Sequence, residues 1–437
     1  MSDKNKSVLV IGGGVAGIQA SLDLAEMGIK TYLVEKEPSI GGRMAQLDKT
    51  FPTMDCSICI LAPKMMECYR HENIEILSYS EVVSVEGETG SFKVKVLRKA
   101  RYVDENRCNG CGECAKVCPM GILNKFDMNL GVRGAAYIPF MQAVPLIYVL
   151  DRHKCMRCGL CKVVCGLDAI DYNQEDEEIE LNVSAIIVAT GFDCFDPSKI
   201  PEYGYRKYDN VITSLEYERL ICAAGPSGGH LERLSDLEIP DKVAFIQCVG
   251  SRDLKHNPYC CSVCCMYATK EAMLIKEHYP GTEVYIFYID LRALGKRFHE
   301  FVERAKEEYG VRYIRSKPSE ITENEGKNLI IWYEDTVTRE INNLEVGMVI
   351  LCPTLIPSEG VEKLSNVLGV KLDEYGFFRV DNPFHGPTNT TRDGIFVAGY
   401  AQSPKDIPES IAQASGAAGR CAEIISTLGD QNERRKT

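Results

Sequence analysis

Eight of the chain's 20 cysteines fall into two matched runs. "CNGCGECAKVCP" sets Cys108, Cys111, Cys114 and Cys118 at the spacing C-x2-C-x2-C-x3-C-P. "CMRCGLCKVVCG" repeats that spacing with Cys155, Cys158, Cys161 and Cys165, and has Gly166 where the first run has Pro119. Thiolates so spaced wrap four-iron clusters, and in two-cluster bacterial ferredoxins the fourth cysteine of each run serves the other cluster. The expected ligand sets are Cys108, Cys111, Cys114 and Cys165 for one [4Fe-4S] cluster, and Cys155, Cys158, Cys161 and Cys118 for the second. Zinc knuckles are the competing reading, but zinc uses well-separated pairs and needs no matched runs. The chemistry expected here is one-electron transfer.

A third group of cysteines lies at 247–265, "QCVGSRDLKHNPYCCSVCC". The apolar run Val243 to Ile246 before it reads as a buried strand. Met266 to His278 reads as a helix, and "TEVYIFYIDLRA" as the next parallel strand. In a flavin enzyme that uses a nicotinamide cofactor, such a turn is expected to be glycine-rich. Here Gly250 stands alone and cannot cradle a pyrophosphate. Thiolates of Cys248, Cys260, Cys261, Cys264 and Cys265 would instead face a helix N-terminus, where the dipole and free N–H groups favour negative charge. An anionic four-thiolate cluster suits that place. The alternatives are buried free cysteines or a redox-active pair such as Cys261 and Cys264.

The N-terminal stretch "VLVIGGGVAGIQASLDLAEMGIKTYLVEKE" reads as a complete βαβ unit. Its strand is Val8–Ile11, its helix spans 15–27 with Gly28 as C-cap, and its second strand is Tyr32–Val34. Gly12, Gly14 and Gly17 form G-x-G-x-x-G, with Ala16 inside it. Glycine permits the tight turn and the close approach of a pyrophosphate to the helix N-terminus, while Glu35 accepts ribose hydroxyls beside Lys36. Gly42 and Arg43 follow in "PSIGGRM". Ala189, Thr190 and Gly191 end the strand "AIIVATG". Gly399, Lys405 and Ile407 mark a closing segment of strand, glycine and long helix. Together these features point to FAD. Tyr400 replaces the Asp usual after such a glycine, and Lys405 is a candidate flavin contact.

The elements that must position these groups form an α/β chain of the two-dinucleotide-domain kind, like thioredoxin reductase, with a two-cluster ferredoxin inserted. The expected boundaries are 1–98 for the first part of the FAD domain, 99–172 for the insert and 173–200 for the second part. A Rossmann-like domain with cysteines in place of an NAD site follows at 201–345, and the FAD domain and tail finish at 346–437. The formal net charge is −12 with no Lys/Arg cluster, which argues against a nucleic-acid partner. The apolar stretch "GAAYIPFMQAVPLIYVL" is broken by Pro139, Gln142 and Pro145, so it reads as loop and strand and not as a transmembrane helix. The N-terminus runs directly into a strand with no apolar leader, so a cytoplasmic location is expected.

These motifs, with "TMDCSICILAPKM", "FIQCVGSRD", "PYCCSVCCMYA" and "SPKDIP", resemble the A subunit of heterodisulfide reductase nearly end to end. The resemblance implies FAD, no nicotinamide, and a cluster at C-x(11–12)-C-x3-C-C, whose ligands here would be Cys248, Cys260, Cys264 and Cys265, with Cys261 as a one-residue alternative to Cys260. It implies flavin-based electron bifurcation or confurcation between one-electron cluster branches. The implied partners are other subunits of that type and an electron-donating hydrogenase- or dehydrogenase-type module, with a homodimer inside a larger complex. Many members carry an extra N-terminal domain and a C-terminal ferredoxin domain, so the chain resembles a short form. Cys56 and Cys59 are then open to two readings, an additional cluster completed by Cys68 or another polypeptide, or free thiols. Similar short subunits occur in a quinone-linked complex of sulfur metabolism and in an aromatic-ring-reducing complex. A rival reading is an NAD(P)H-dependent flavin oxidoreductase of the glutamate-synthase small-subunit type, against which the missing second glycine fingerprint argues.

Overall fold

The computed structural model describes residues 7–434, with side chains described to residue 427. It divides into two compact units, one built from residues up to Ala45, Ile58–Phe192 and from Pro357 onward, the other from Gln46–Ser57 and Asp193–Ile356.

The first unit is organised by a seven-stranded sheet. Its order is Val380–Asn382, Gly386–Thr390, Ile395–Val397, Ala185–Val188, Ser7–Ile11, Lys30–Glu35 and Ile74–Ser78. The last five run parallel. Parallel strands covered on both faces must be apolar throughout, and Val8, Leu9 and Val10 are fully buried. The helix Val15–Glu26 crosses from the first strand to the second, and Met27 and Gly28 close it. The closing helix Ile407–Arg434 contributes Ala414, Ala417, Ala418 and Cys421 to the core that holds Ile18, Leu22 and Ala25 of the first helix.

A second layer joins Glu177–Val183, Ser91–Arg98 and Ser80–Glu88 as antiparallel strands. Here one face is wet, so the pattern alternates. Phe92, Val94 and Val96 point inward, while Lys93 and Lys95 pair across the strands with Glu180 at 3.0 Å and Glu178 at 2.8 Å.

The cysteine runs lie in sequence between Ser91–Arg98 and Glu177–Val183, around a small core of their own that includes Tyr102, Val103, Cys114, Ala136, Leu150, Cys161 and Ile170. Each run turns into a short helix, Glu113–Lys116 or Leu160–Val164, behind a left-handed glycine. Gly112 has φ 83° and Gly159 has φ 82°, so the sequence repeat is also a backbone repeat. The apolar stretch at 134–150 is loop with two short paired strands, Ala136–Tyr137 and Val149–Leu150, as its prolines lead one to expect.

The second unit is a five-stranded parallel sheet in the order Val211–Thr213, Met348–Pro353, Lys242–Val249, Glu283–Tyr288, Arg312–Arg315. An antiparallel trio, Glu320–Glu323, Leu329–Glu334 and Ile341–Val346, accompanies it. Residues 46–57, which the sequence assigned to the FAD domain, fold with this unit. The helix after the cysteines starts at Cys264, two residues before the expected start, and both Cys264 and Cys265 sit in its first turn. The helix Ser214–Ile221 starts from a capping box in which Thr213 and Glu216 satisfy each other's main-chain N–H groups.

A Cβ on Gly17 would lie 1.8 Å from the Gly12 carbonyl oxygen, a contact that no side chain can make. Gly17→Ala is therefore expected to push the first helix off its strand and to destabilise the first unit by about 2 kcal/mol or more. A lowered urea midpoint together with weaker flavin retention would show it.

Candidate functional site

The glycine turn draws in residues from five separate stretches. Gly12, at φ 107°, brings its backbone against Ala189 and Thr190, where an added Cβ would stand 2.4 Å from the Ala189 carbonyl oxygen. Gly42 faces Gly14, and Gly399 faces Ala16, each too closely for a side chain on the later glycine. The Gly13 N–H donates to Glu35 Oε2 at 2.6 Å, and the Glu37 N–H donates to Glu35 Oε1 at 2.9 Å. Burial raises the Glu35 pKa above the usual carboxylate value despite these two donors.

The residues fit a dinucleotide on three counts. Gly14 starts the first helix with no side-chain cap, leaving its terminal N–H groups free for phosphate oxygens. Thr190 Oγ1 is buried with no hydrogen-bond partner. An acidic side chain, Glu35, stands at the end of the second strand. Arg43 Nε donates to the Phe192 carbonyl at 3.5 Å, and the Tyr400 ring packs on Phe192 and Phe377 at 4.8 and 5.9 Å. Lys36, by contrast, is exposed.

In the insert, one cavity is lined by Cys118 together with Cys155, Cys158 and Cys161, among Pro119, Leu150 and other apolar groups. The fourth cysteine of the first run thus faces the first three of the second. Cys118 Sγ accepts the Ala135 N–H at 3.1 Å, Cys165 Sγ accepts the Ala169 N–H at 3.3 Å, and Cys161 Sγ lies 3.0 Å from the Tyr172 hydroxyl. Burial pushes the Cys114 thiol up to about 12. Among the described residues no group of three His, Cys, Asp or Glu side chains is placed around a single ion. A four-iron cluster is wider than one ion, and four cysteines line this one cavity.

The cysteine turn of the second unit begins with an irregularity. The pairing of Lys242–Val249 with Met348–Pro353 slips between Ile246 and Val249, and Cys248 takes φ 60°. A left-handed non-glycine residue costs about 1–2 kcal/mol, and such strain gathers at functional positions. Cys248, Cys261, Cys264 and Cys265 are buried, whereas Cys260 is half-buried. The Cys264 sulfur is in hydrogen-bonding contact with those of Cys248, Cys261 and Cys265, and the Cys261 sulfur also contacts Cys260. The main-chain N–H groups of Val263 and Cys264 aim at Cys261, whose pKa falls well below the ordinary thiol value, chiefly through Cys260. The Arg292 N–H reaches Cys265 Sγ at 3.4 Å. Beside Cys265, Gln247 keeps a buried Nε2 donor with no partner, which suits an anionic group. Cys352, at the end of a neighbouring strand, is fully buried and feels the charges of Cys248 and Cys261. The sequence reading missed it, because a lone cysteine closing an apolar strand carries no spacing signal.

Comparison with known proteins gives the following. Residues 7–55 match a family model described as FAD dependent oxidoreductase, and residues 101–124 match a 4Fe-4S binding domain. The iron-sulfur A subunit of the CoB--CoM heterodisulfide reductase of Methanocaldococcus jannaschii is 55% identical over 95% of the chain and 63% of its own length. The A subunit of the H(2):CoB-CoM heterodisulfide,ferredoxin reductase of Methanothermobacter thermautotrophicus is 53% identical over the same shares. Over 95% of its length the chain is similar to these heterodisulfide reductase A subunits. It spans about 63% of the length of these relatives. The thioredoxin reductases of Lactococcus lactis and T. acidophilum have TM-scores of 0.54 at 17% and 16% identity, covering 97% and 98% of the chain and 100% and 99% of their own, and so share its fold.

Cys56 and Cys59 are joined as a disulfide, neither free nor open to a cluster in this state. Cys68 does not join them. It is buried in the core of the first unit, with its sulfur 3.7 Å from the Ile18 carbonyl. No described helix is long and apolar enough to cross a membrane.

Lys405 is not a solvated side chain. Its ammonium donates to the carbonyls of Gly399 and Ser403, to Gln402 Oε1 and to Ser403 Oγ, all at 2.9–3.0 Å, and so ties down the loop before the closing helix. Burial lowers its pKa to about 8. A lysine depressed in the folded state destabilises the fold fully below that pKa, and the penalty is relieved as pH rises from there towards the unfolded value. Relative to Lys405→Met, the wild-type chain should therefore gain stability between about pH 8 and pH 10. Denaturant midpoints measured across that range check the sign; a fall would mean that the four oxygens outweigh burial.

Proposed function

We propose that the chain is the FAD- and iron–sulfur-carrying electron-transfer subunit of a heterodisulfide-reductase-type complex. The observation that carries this reading is the turn at the carboxyl edge of the second parallel sheet. A nicotinamide enzyme would place glycines there, and this chain places buried cysteines around a strained Cys248. When bound, FAD exchanges two electrons together or singly and each cluster exchanges one, which is the chemistry of bifurcation between one-electron branches.

The chain's own residues do the positioning. The first helix would receive the pyrophosphate at its uncapped N-terminus, Glu35 would accept ribose hydroxyls, and Thr190 Oγ1 would gain the partner it lacks. Gly42, Arg43, Gly191, Gly399 and Ile407 would line or adjoin the same site. Lys405 acts through the loop it ties down. In the insert, Cys118 with Cys155, Cys158 and Cys161 would hold one cluster, and Cys165 with Cys108, Cys111 and Cys114 the other. In the second unit, Cys248, Cys264 and Cys265 would hold a further cluster with Cys260 or Cys261. The buried sulfur and N–H donors of Cys261 favour it as the fourth ligand. The partners are other subunits of the complex and an electron-donating hydrogenase- or dehydrogenase-type module, with the chain paired as a homodimer inside the assembly. A cytoplasmic site of action accords with this chemistry.

Two outcomes test the reading. NADH or NADPH should fail to bleach the flavin of the purified, FAD-loaded chain; rapid stoichiometric bleaching would restore the nicotinamide enzyme as the better account. Cys118→Ser should damage the cluster anchored by Cys155, Cys158 and Cys161. Spectroscopic loss of the Cys108, Cys111 and Cys114 cluster alone would mean that each run serves itself.

A further inference from the structure

The second unit buries three charged side chains that neither the flavin reading nor the cysteine ligation uses. Glu218, Lys270 and Glu271 are each 1–2% exposed. The Lys270 ammonium is ion-paired with Glu218 Oε1. Glu218 Oε2 accepts the main-chain N–H of Asp48 at 2.8 Å. The Glu271 carboxyl meets that of Glu218, and its Oε2 is buried with no hydrogen-bond partner. Two carboxylates and one ammonium would leave a net negative charge sealed in the interior, which costs several kcal/mol. A proton bound between the carboxyls would remove that charge: burial first, then Glu218, raise Glu271 well above the usual carboxylate range.

Its place in the fold ties this proton to the cysteine turn. Glu271 lies on the helix that Cys264 starts, and Cys264, Tyr267 and Glu271, at i, i+3 and i+7, share one face about 10 Å long. Tyr267 and Cys352 fill the interval. The Tyr267 hydroxyl donates to the Pro353 carbonyl at 3.3 Å, and Cys352 feels the charge of Glu271 first and then of Cys261 and Cys248. Tyr217, whose hydroxyl donates to the Glu271 carbonyl at 3.2 Å, closes the side facing the helix Ser214–Ile221. At the other end Asp48 is partly exposed and faces Lys49 and His278, and Lys49 lies 3.7 Å from the half-exposed Glu277. The Asp48 carboxyl, nearest solvent, feels the charge of Glu218, which meets Glu271, and these groups stop short of the sulfurs.

We propose that Glu271, shared with Glu218 and balanced by Lys270, is a proton-binding site that takes up one proton from solvent by way of Asp48 when one electron enters the cysteine-lined turn. The inference rests on the reading that the turn holds a cluster. The electron comes from a one-electron reductant. Starting from the doubly ionised pair, the proton forms one O–H bond on Glu271 or Glu218 and leaves again when the electron does. The added negative charge about 10 Å away along an apolar helix face is met by an added positive one, so neither has to stand alone in the interior.

The test uses the full chain reconstituted with iron, sulfide and FAD, and Glu271→Gln, which keeps the shape of the protonated side chain. A dithionite titration followed by electron paramagnetic resonance reads the midpoint of the cluster in the turn at several pH values. One proton per electron makes reduction tenfold less favourable per pH unit, about 59 mV. The wild-type chain should show that slope only above the raised Glu271 pKa, where the carboxyl pair carries no proton before the electron enters, and Glu271→Gln should be flat. A second readout needs no cluster. A glutamate raised in the folded state weakens the fold as pH rises from its unfolded value through its folded one. The metal-free wild-type chain should therefore lose urea stability relative to Glu271→Gln with rising pH. That loss without the slope would mean that the proton site is real but uncoupled, and would overturn the proposal. Equal slopes in both chains would overturn it by excluding Glu271. Absence of iron from the turn, with the two ferredoxin clusters in place, would instead overturn the functional reading beneath it, and the proposal with it.

Discussion

The contact between Gly17 and the Gly12 carbonyl is the tightest constraint in the first unit, and much follows from it. The first helix can sit this close to the strand before it only if its first turn carries no side chain there. Once the helix is seated, its uncapped N-terminus opens onto the carboxyl edge of the sheet, beside the ends of three other strands. Ala189, Thr190 and Gly399 reach Gly12 and Ala16 because those strands run parallel and end at the same edge. The close backbone approach thus does two jobs, packing the core and building a polar cleft over it.

The second unit solves the same problem differently. Its central strand ends without a G-x-G-x-x-G turn, and the chain escapes by a slip in register and a left-handed Cys248. A bulge re-aims side chains that strand alternation would have sent to opposite faces. Four buried thiols can then gather where a phosphate would otherwise lie. The left-handed conformation is tolerated because the sulfurs converge there, and the local strain is held by the sheet on one side and the long helix on the other.

How much of this was legible in the sequence depended on distance along the chain. The glycine turn, the matched cysteine runs and the cysteine-rich second turn are local signals, and each element they imply is present within a few residues of its expected place. The start of the cysteine helix at Cys264 was harder to see, because sulfur ligands and helix starters look alike in sequence. Cys352 and Asp48 carried no signal at all, since each matters only through residues far from it along the chain. The segment 46–57 folds with the second unit for the same reason: its place is set by partners such as Glu218, not by its own composition. Lys270 and Glu271 carry no spacing signal, and they become interior only through packing against residues such as Glu218 and Tyr217.

The pairing of Lys270 with Glu218 also has a mechanical side. A helix of 15 residues that is gripped at one end by Cys264 and Cys265 could still creep along or twist about its axis. An ion pair at its middle, sealed from water, forbids both, because a slide of one residue would carry Lys270 about 100° around the cylinder and strand a charge in hydrocarbon. The helix is thereby a fixed-length strut. Whatever orientation the second unit takes up within a larger assembly, the sulfurs at one end of the strut and the acid at its centre travel together at constant spacing.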